Sequence, residues 1–227
     1  MYFDSRPVSR NNVQVGFEMR GGMRVLTEEK RATILQAAAA VFQESGFDGA
    51  SMAQVAARVG GSKSTLYRYY RSKEELFIAV NQDAAKRHIL PSLEQLLSSK
   101  SENLLQVLTR FGVEALAMVA SEDSIKTMRT VISESGRSDI GRRFYEEGQK
   151  LGIEALAGFF EIQMDAGLMR RADPTAAAKH LLALFDSETV FPCLMGIRGP
   201  LTEPEIYDAV GRAVDIYLNG YSLKDRV

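Results

Sequence analysis

The sequence predicts an all-α protein, with a compact helical front end and a longer helical bundle behind it. Three observations carry that expectation. Nearly every segment after Thr27 repeats its apolar residues three and four positions apart, which is the helical period. The breaks between those segments are glycines, prolines and serines of the kinds that stop and start helices. No convincing strand pattern or internal repeat interrupts the series.

Taken in order, the first helix is expected from Thr27, with Glu28 and Glu29 in its first turn and Gly46 as its stop. Ser51 and Gln54 have the spacing of a capping box and open a second helix through Val59. Gly60-Gly61 breaks the chain, and Ser62 caps a short third helix to about Tyr70. Ser72 and Glu75 repeat the capping pattern for a fourth helix, which is expected to end near Pro91. Coarse spans for the rest are Ser101–Ala120, Glu122–Glu134, Asp139–Gly167, Pro174–Met195 and Glu203–Gly220. Pro174 and Pro204 stand where a first-turn proline is tolerated.

Composition removes several function classes. The 227 residues include one cysteine, Cys193, and two histidines. No intrachain disulfide can form, and a thiolate-ligated zinc or iron–sulfur site is excluded; a reducing, cytoplasmic setting is the expectation. Cys193 sits in an apolar run where a thiol is buried and inert. His180, Asp186 and Glu188 are six and eight positions apart and do not share one helical face. With no glycine-rich phosphate loop either, neither an enzyme nor a cofactor nor a metal site is expected. The most apolar stretch, Leu181–Ile197, is interrupted by Asp186, Glu188 and Pro192 and is short for a bilayer, so no membrane partner is expected.

Charge and glycine content divide the chain into three expected parts. Residues 1–23 read as a disordered tail. Residues 24–76 carry eight basic and six acidic side chains and form the front domain. Residues 77–227 carry 17 basic and 21 acidic side chains. The basic excess in the front domain is small, so it permits nucleic-acid binding without requiring it.

Ser51 to Tyr70 is the informative stretch. Two short helices joined by a glycine turn make a helix-turn-helix, with the small Ala56 at the crossing and Gly60 at the turn. Val55, Val59, Leu66 and Tyr70 are spaced to pin the second helix inward. Lys63, Ser64, Thr65, Tyr67, Arg68 and Tyr69 then face outward. Side chains early in a recognition helix reach base edges, and flanking groups bind phosphates.

These residues, in the order Ser51-x-x-x-Val55-Ala56-x-x-Val59-Gly60-x-Ser62-x-x-Thr65-Leu66-Tyr67-x-Tyr69-Tyr70-x-Ser72-Lys73-Glu74-x-Leu76, resemble the DNA-binding domain of TetR/AcrR-type transcriptional regulators. Ile34-Leu35-Gln36-Ala37-Ala38, Phe42 and Gly46-Phe47 fit the helix that precedes it. The chain departs from that pattern at Gly61, where Val or Ile is usual, at Tyr69, where His is common, and at Tyr70, where Phe is. Arg129 to Glu134, Phe144, Gly167 and Asp173-Pro174-x-Ala176-Ala177 are loosely similar to the ligand and dimer domain of the AefR-like branch.

The resemblance implies that Lys63, Ser64, Thr65 and Arg68 face the major groove of a double-stranded operator. It implies that Tyr67, Tyr69, Ser51 and Lys73 hold phosphates. It implies a homodimer, built on the last two long helices, acting as a repressor released from a palindromic operator by a small-molecule effector. Candidates to line an apolar effector cavity are Phe111, Met118, Met128, Phe144, Phe159, Phe160, Phe185 and Phe191, with Asp186 and Glu188 as polar anchors. The alternative is a helical dimer that grips another protein, with DNA binding secondary or absent.

Overall fold

The computed structural model describes residues 15–99 and 103–223, with side chains described from Glu28 onward except at Leu90. The expected tail at residues 1–14 and the expected helix start at Ser101 lie outside these residues. Every regular element described is helical, and the chain divides into two compact units between Lys73 and Glu74.

The front unit holds α1 (Val15–Gly49), α2 (Met52–Val59) and α3 (Lys63–Tyr69). Helix α1 begins twelve residues before Thr27, so residues 15–23 are helical backbone rather than tail. The physical reason is local: no proline falls between Val15 and Gly49, and Glu18, Met19, Arg20, Met23, Arg24 and Leu26 are good helix formers. Gly46 does turn the chain, at φ 68°. Ser51 caps α2 by accepting from the Gln54 N–H at 3.3 Å, and its hydroxyl donates to Gln54 Oε1 at 2.8 Å. The Gln54 side chain therefore meets the hydroxyl rather than the Ser51 backbone. Gly60 closes α2 in the left-handed region, φ 67°, where a side chain would be strained. Ser62 caps α3 through the Thr65 N–H at 3.1 Å.

The rear unit is built from the remainder of α4 (Lys73–Ser98), α5 (Leu104–Val119), α6 (Glu122–Glu134), α7 (Ile140–Phe144), α8 (Lys150–Asp165), α9 (Pro174–Ser187), α10 (Val190–Leu194) and α11 (Glu203–Tyr221). Three expected boundaries move. Helix α4 runs past Pro91 to Ser98. Pro91 and Arg87 are both exposed, so water can satisfy the Arg87 carbonyl that the proline leaves without a donor. The span from Asp139 is interrupted by a π-helical turn at Tyr145–Gln149. The span from Pro174 breaks at Glu188-Thr189. There the ring of Pro192 would clash with the Glu188 carbonyl of a continuous helix.

The core of this unit joins α5, α8, α9 and α11. Phe160, Leu156, Leu181 and Val210 are fully buried in it. Phe160 lies 5.3 Å from Tyr217, which stacks on Tyr221 at 4.6 Å, measured between ring centroids. Gly112 lets α5 close on its neighbours. A Cβ there would stand 2.6 Å from the Phe185 ring and 2.7 Å from Val210 Cγ1.

Candidate nucleic-acid interface

Helix α3 is held from beneath by one side chain of its own and by its neighbours. Leu66 is buried, as are Val55 and Ala56 of α2 and Tyr70 just behind α3. Burying a Leu side chain contributes about 1.5–3 kcal/mol, which sets which face of so short a helix turns inward. The opposite face is then free for solvent. Lys63, Ser64, Tyr67 and Arg68 are exposed, and Thr65 and Tyr69 are half-buried. Lys63 and Arg68 have no ion-pair or hydrogen-bond partner among the described residues. The Ser62 hydroxyl bridges to Ser64 Oγ at 2.8 Å and Thr65 Oγ1 at 2.9 Å, which gathers three hydroxyls on the first turn.

Lys73 is placed differently from the other candidate cations. Its ammonium donates to the Phe47 carbonyl at 2.7 Å and lies 4.2 Å from the Phe47 ring centroid. It ties the start of α4 to the end of α1 and keeps two of its three N–H donors for another group. Arg58 on α2 is neutralised by Glu44 on α1, with both carboxylate oxygens at 2.8 Å.

Two cations missed in the sequence lie beside α3. Lys30 shares a small dent with Ser62 and Thr65, and the Arg31 guanidinium lies 6.0 Å from the Tyr70 ring centroid. The apolar stripe Ile34, Ala38, Val41 was legible. Extending its period back by four reaches Lys30, and that signal would have found it.

The effector-cavity candidates divide. Phe111, Phe159, Phe160 and Phe185 are buried in the rear core, with Phe159 and Phe160 packed edge to face at 5.6 Å. Met118, Met128 and Phe144 are half-buried. Phe191 is 61% exposed, so it does not join them. The break at Glu188-Thr189 resets the helical phase, and α10 turns Val190 and Cys193 inward instead. Glu188 is likewise no interior anchor. It accepts from Arg212 of α11 at the surface, and that guanidinium holds its carboxyl below the usual range. Cys193 is buried, as expected, with its thiol donating to the Gly199 carbonyl at 3.3 Å. Among the described residues no group of three potential ligands could hold a metal ion, and no single helix is long and apolar enough to cross a membrane.

Residues 34–80 match the profile of bacterial regulatory proteins of the tetR family, and residues 106–223 match the AefR-like transcriptional repressor C-terminal domain. The chain belongs to the TetR family. It is a DNA-binding transcriptional regulator by fold and relationship, not an enzyme. It is 35% identical over 108 residues to the HTH-type transcriptional activator FasR of Mycolicibacterium smegmatis, an alignment spanning 46% of this chain and 47% of FasR. The chain thus matches about half the length of that relative. A TetR-family regulator from Mesorhizobium loti superposes with a TM-score of 0.77 at 26% identity, covering 86% of this chain and 98% of that one. The flavonoid-responsive regulator FrrA superposes with a TM-score of 0.66 at 29% identity, covering 87% and 100%.

Proposed function

We propose that this regulator binds a palindromic operator as a homodimer, with α3 of each protomer in the major groove. Lys63, Ser64, Thr65 and Arg68 read base edges, and Ser51, Tyr67, Tyr69 and Lys73 hold the flanking phosphates. The observation that carries the reading is the outward face of α3: two unpaired cations and three clustered hydroxyls over a buried Leu66. Two such helices need to stand about 34–36 Å apart, one turn of duplex.

The homodimer is supported by α9 and α11. Between them lies a concavity of about 360 Å³, lined by Ala183, Leu184 and Ile216 among others, with Ile216 and Tyr207 left exposed on α11. An apolar face of this kind suits a symmetric partner. Response to a small apolar effector is supported by the aromatic core and by the likeness to FrrA, a flavonoid-responsive regulator. A coupling of about 1–3 kcal/mol would change operator affinity roughly 5- to 150-fold. Repression is supported by the match to the C-terminal domain of AefR-like transcriptional repressors.

A footprint on DNA flanking the chain's own coding region tests the reading. The expected result is a twofold-symmetric protected site whose affinity falls by two or more decades between about 50 and 200 mM salt. Failure of the folded dimer to shift that DNA at low salt would overturn it.

A further inference from the structure

We propose that Lys30 of α1, with the space left by Gly61, forms a seat for one DNA phosphate beside the reading helix. The proposal rests on the DNA-binding role above and adds a contact outside the helix-turn-helix. Lys30 has no hydrogen-bond or ion-pair partner among the described residues, and it stands on the rim of a dent shared with Ser62 and Thr65. Ile34, Ala56, Val59 and Leu66 make up its apolar lining, and among the described residues no carboxylate lines it. Its volume of about 10 Å³ is close to that of one oxygen-sized sphere.

Gly61 is the second and independent part of the argument. Unlike Gly60, it does not hold a left-handed φ, so its backbone tolerates any residue. A Cβ there would meet only Val59 Cγ1, at 3.9 Å. Neither conformation nor packing inside the protein calls for a glycine at this position. An apolar side chain at 61 would cover Ile34, Val59 and Leu66 and stabilise the turn. The absence of that side chain leaves an opening about one atom wide whose lining includes Lys30, a cation with no partner among the described residues. The Ser62 and Thr65 hydroxyls share one hydrogen bond at 2.9 Å, so one of their two O–H groups can turn toward an acceptor placed there while that bond is kept. A phosphate oxygen is an acceptor of the right charge and size. The positive charge comes from α1, so the footprint of the protein on the duplex extends beyond the two short helices.

The test uses the full-length protein and a dye-labelled duplex of random sequence, since a phosphate contact is independent of base sequence. Fluorescence anisotropy over roughly 25–150 mM salt gives the slope of log K against log[salt]. Lys30→Gln is expected to reduce that slope by about 0.9 per protomer, and so to weaken binding about 8-fold per protomer near 0.1 M salt. Lys30→Arg should restore both. Gly61→Val is expected to raise the melting temperature while weakening DNA binding about 5-fold or more, opposite signs that a purely structural glycine would not give. An unchanged slope in Lys30→Gln overturns the seat, as does a Gly61→Val protein that binds as tightly as wild type. Wild-type protein that fails to bind duplex even at the lowest salt would instead sink the DNA-binding reading itself, and the seat with it.

Discussion

The two units dispose of their charges differently. In the rear unit, most arginines are paired next door, Arg87 with Asp83, Arg143 with Glu147, Arg198 with Glu205 and Arg212 with Glu188, while Lys86 and Lys179 have no partner among the described residues. In the front unit, Lys30, Lys63 and Arg68 have no partner among the described residues, and the neutralised Arg58 lies on α2 rather than α3. Pairing saves little at an exposed site, about 0–1 kcal/mol, so the unpaired state costs the fold almost nothing. What it preserves is charge that can displace counterions from a polyanion. The near-zero net charge of the whole chain hides this division.

The comparison can be broken most severely at the unpaired cations. Replacing Lys63 and Arg68 together by alanine should weaken operator binding about 100-fold or more, each lost contact being worth about 1–3 kcal/mol. The melting temperature should stay within about a degree. Removing a paired cation, as in Arg212→Ala, should leave DNA affinity unchanged and lower the melting temperature only slightly. Electrophoretic mobility shift and thermal melts on the same preparations check both. Equal DNA effects from the two variants would remove the distinction between the units.

A second change separates the units by packing. Gly112→Val would drive side-chain atoms into Phe185 and Val210, where a Cβ alone already meets carbon at 2.6 and 2.7 Å. The expected cost is about 1–3 kcal/mol, and more if α5 must move off α9 and α11. Denaturant unfolding followed by tyrosine fluorescence would show it, since four of the eight tyrosines, Tyr145, Tyr207, Tyr217 and Tyr221, lie beyond Tyr70. Intact stability would mean that α5 is less tightly docked than the geometry shows.

How much of this was readable in the sequence depends on what sets each feature. Helix α6 and helix α2 were read to their last residue because side-chain caps at Ser121 and Ser51 and a stop at Gly60 fix them locally. The buried set Val55, Ala56, Leu66 and Tyr70 followed from period alone. Helix α4 was cut at Pro91 because the sequence does not reveal that the freed carbonyl belongs to an exposed turn. Phe191 is expected inside on an unbroken Pro174–Met195 helix, whereas the clash of Pro192 with the Glu188 carbonyl re-phases everything after it. Lys30 was missed for a different reason. Its neighbours Ser62 and Thr65 are more than thirty residues away, and only the packing of α1 on α3 brings them together.

The smallest effect tests solvation in the rear unit. Asp186 is exposed rather than an interior anchor, yet the protein around its carboxyl withholds enough water to push it up to about 6. An acid whose folded value is raised above its unfolded value, about 3.9, is penalised when ionised. Stability should therefore fall as pH rises from about 4 through 6 and stay at the lower level at pH 7. Asp186→Asn removes the ionisation, so the variant should melt higher than wild type at pH 7. Water at the exposed edge of the carboxylate screens the penalty, so about 1 kcal/mol is expected rather than the full shift, or about 2–4 °C for a chain of this size. The two proteins should converge near pH 4, where the wild-type carboxyl is protonated in the folded state. A gap that persists unchanged down to pH 4 would assign the difference to packing of the amide. No gap at pH 7 would mean that Asp186 is as well hydrated as the paired carboxylates around it.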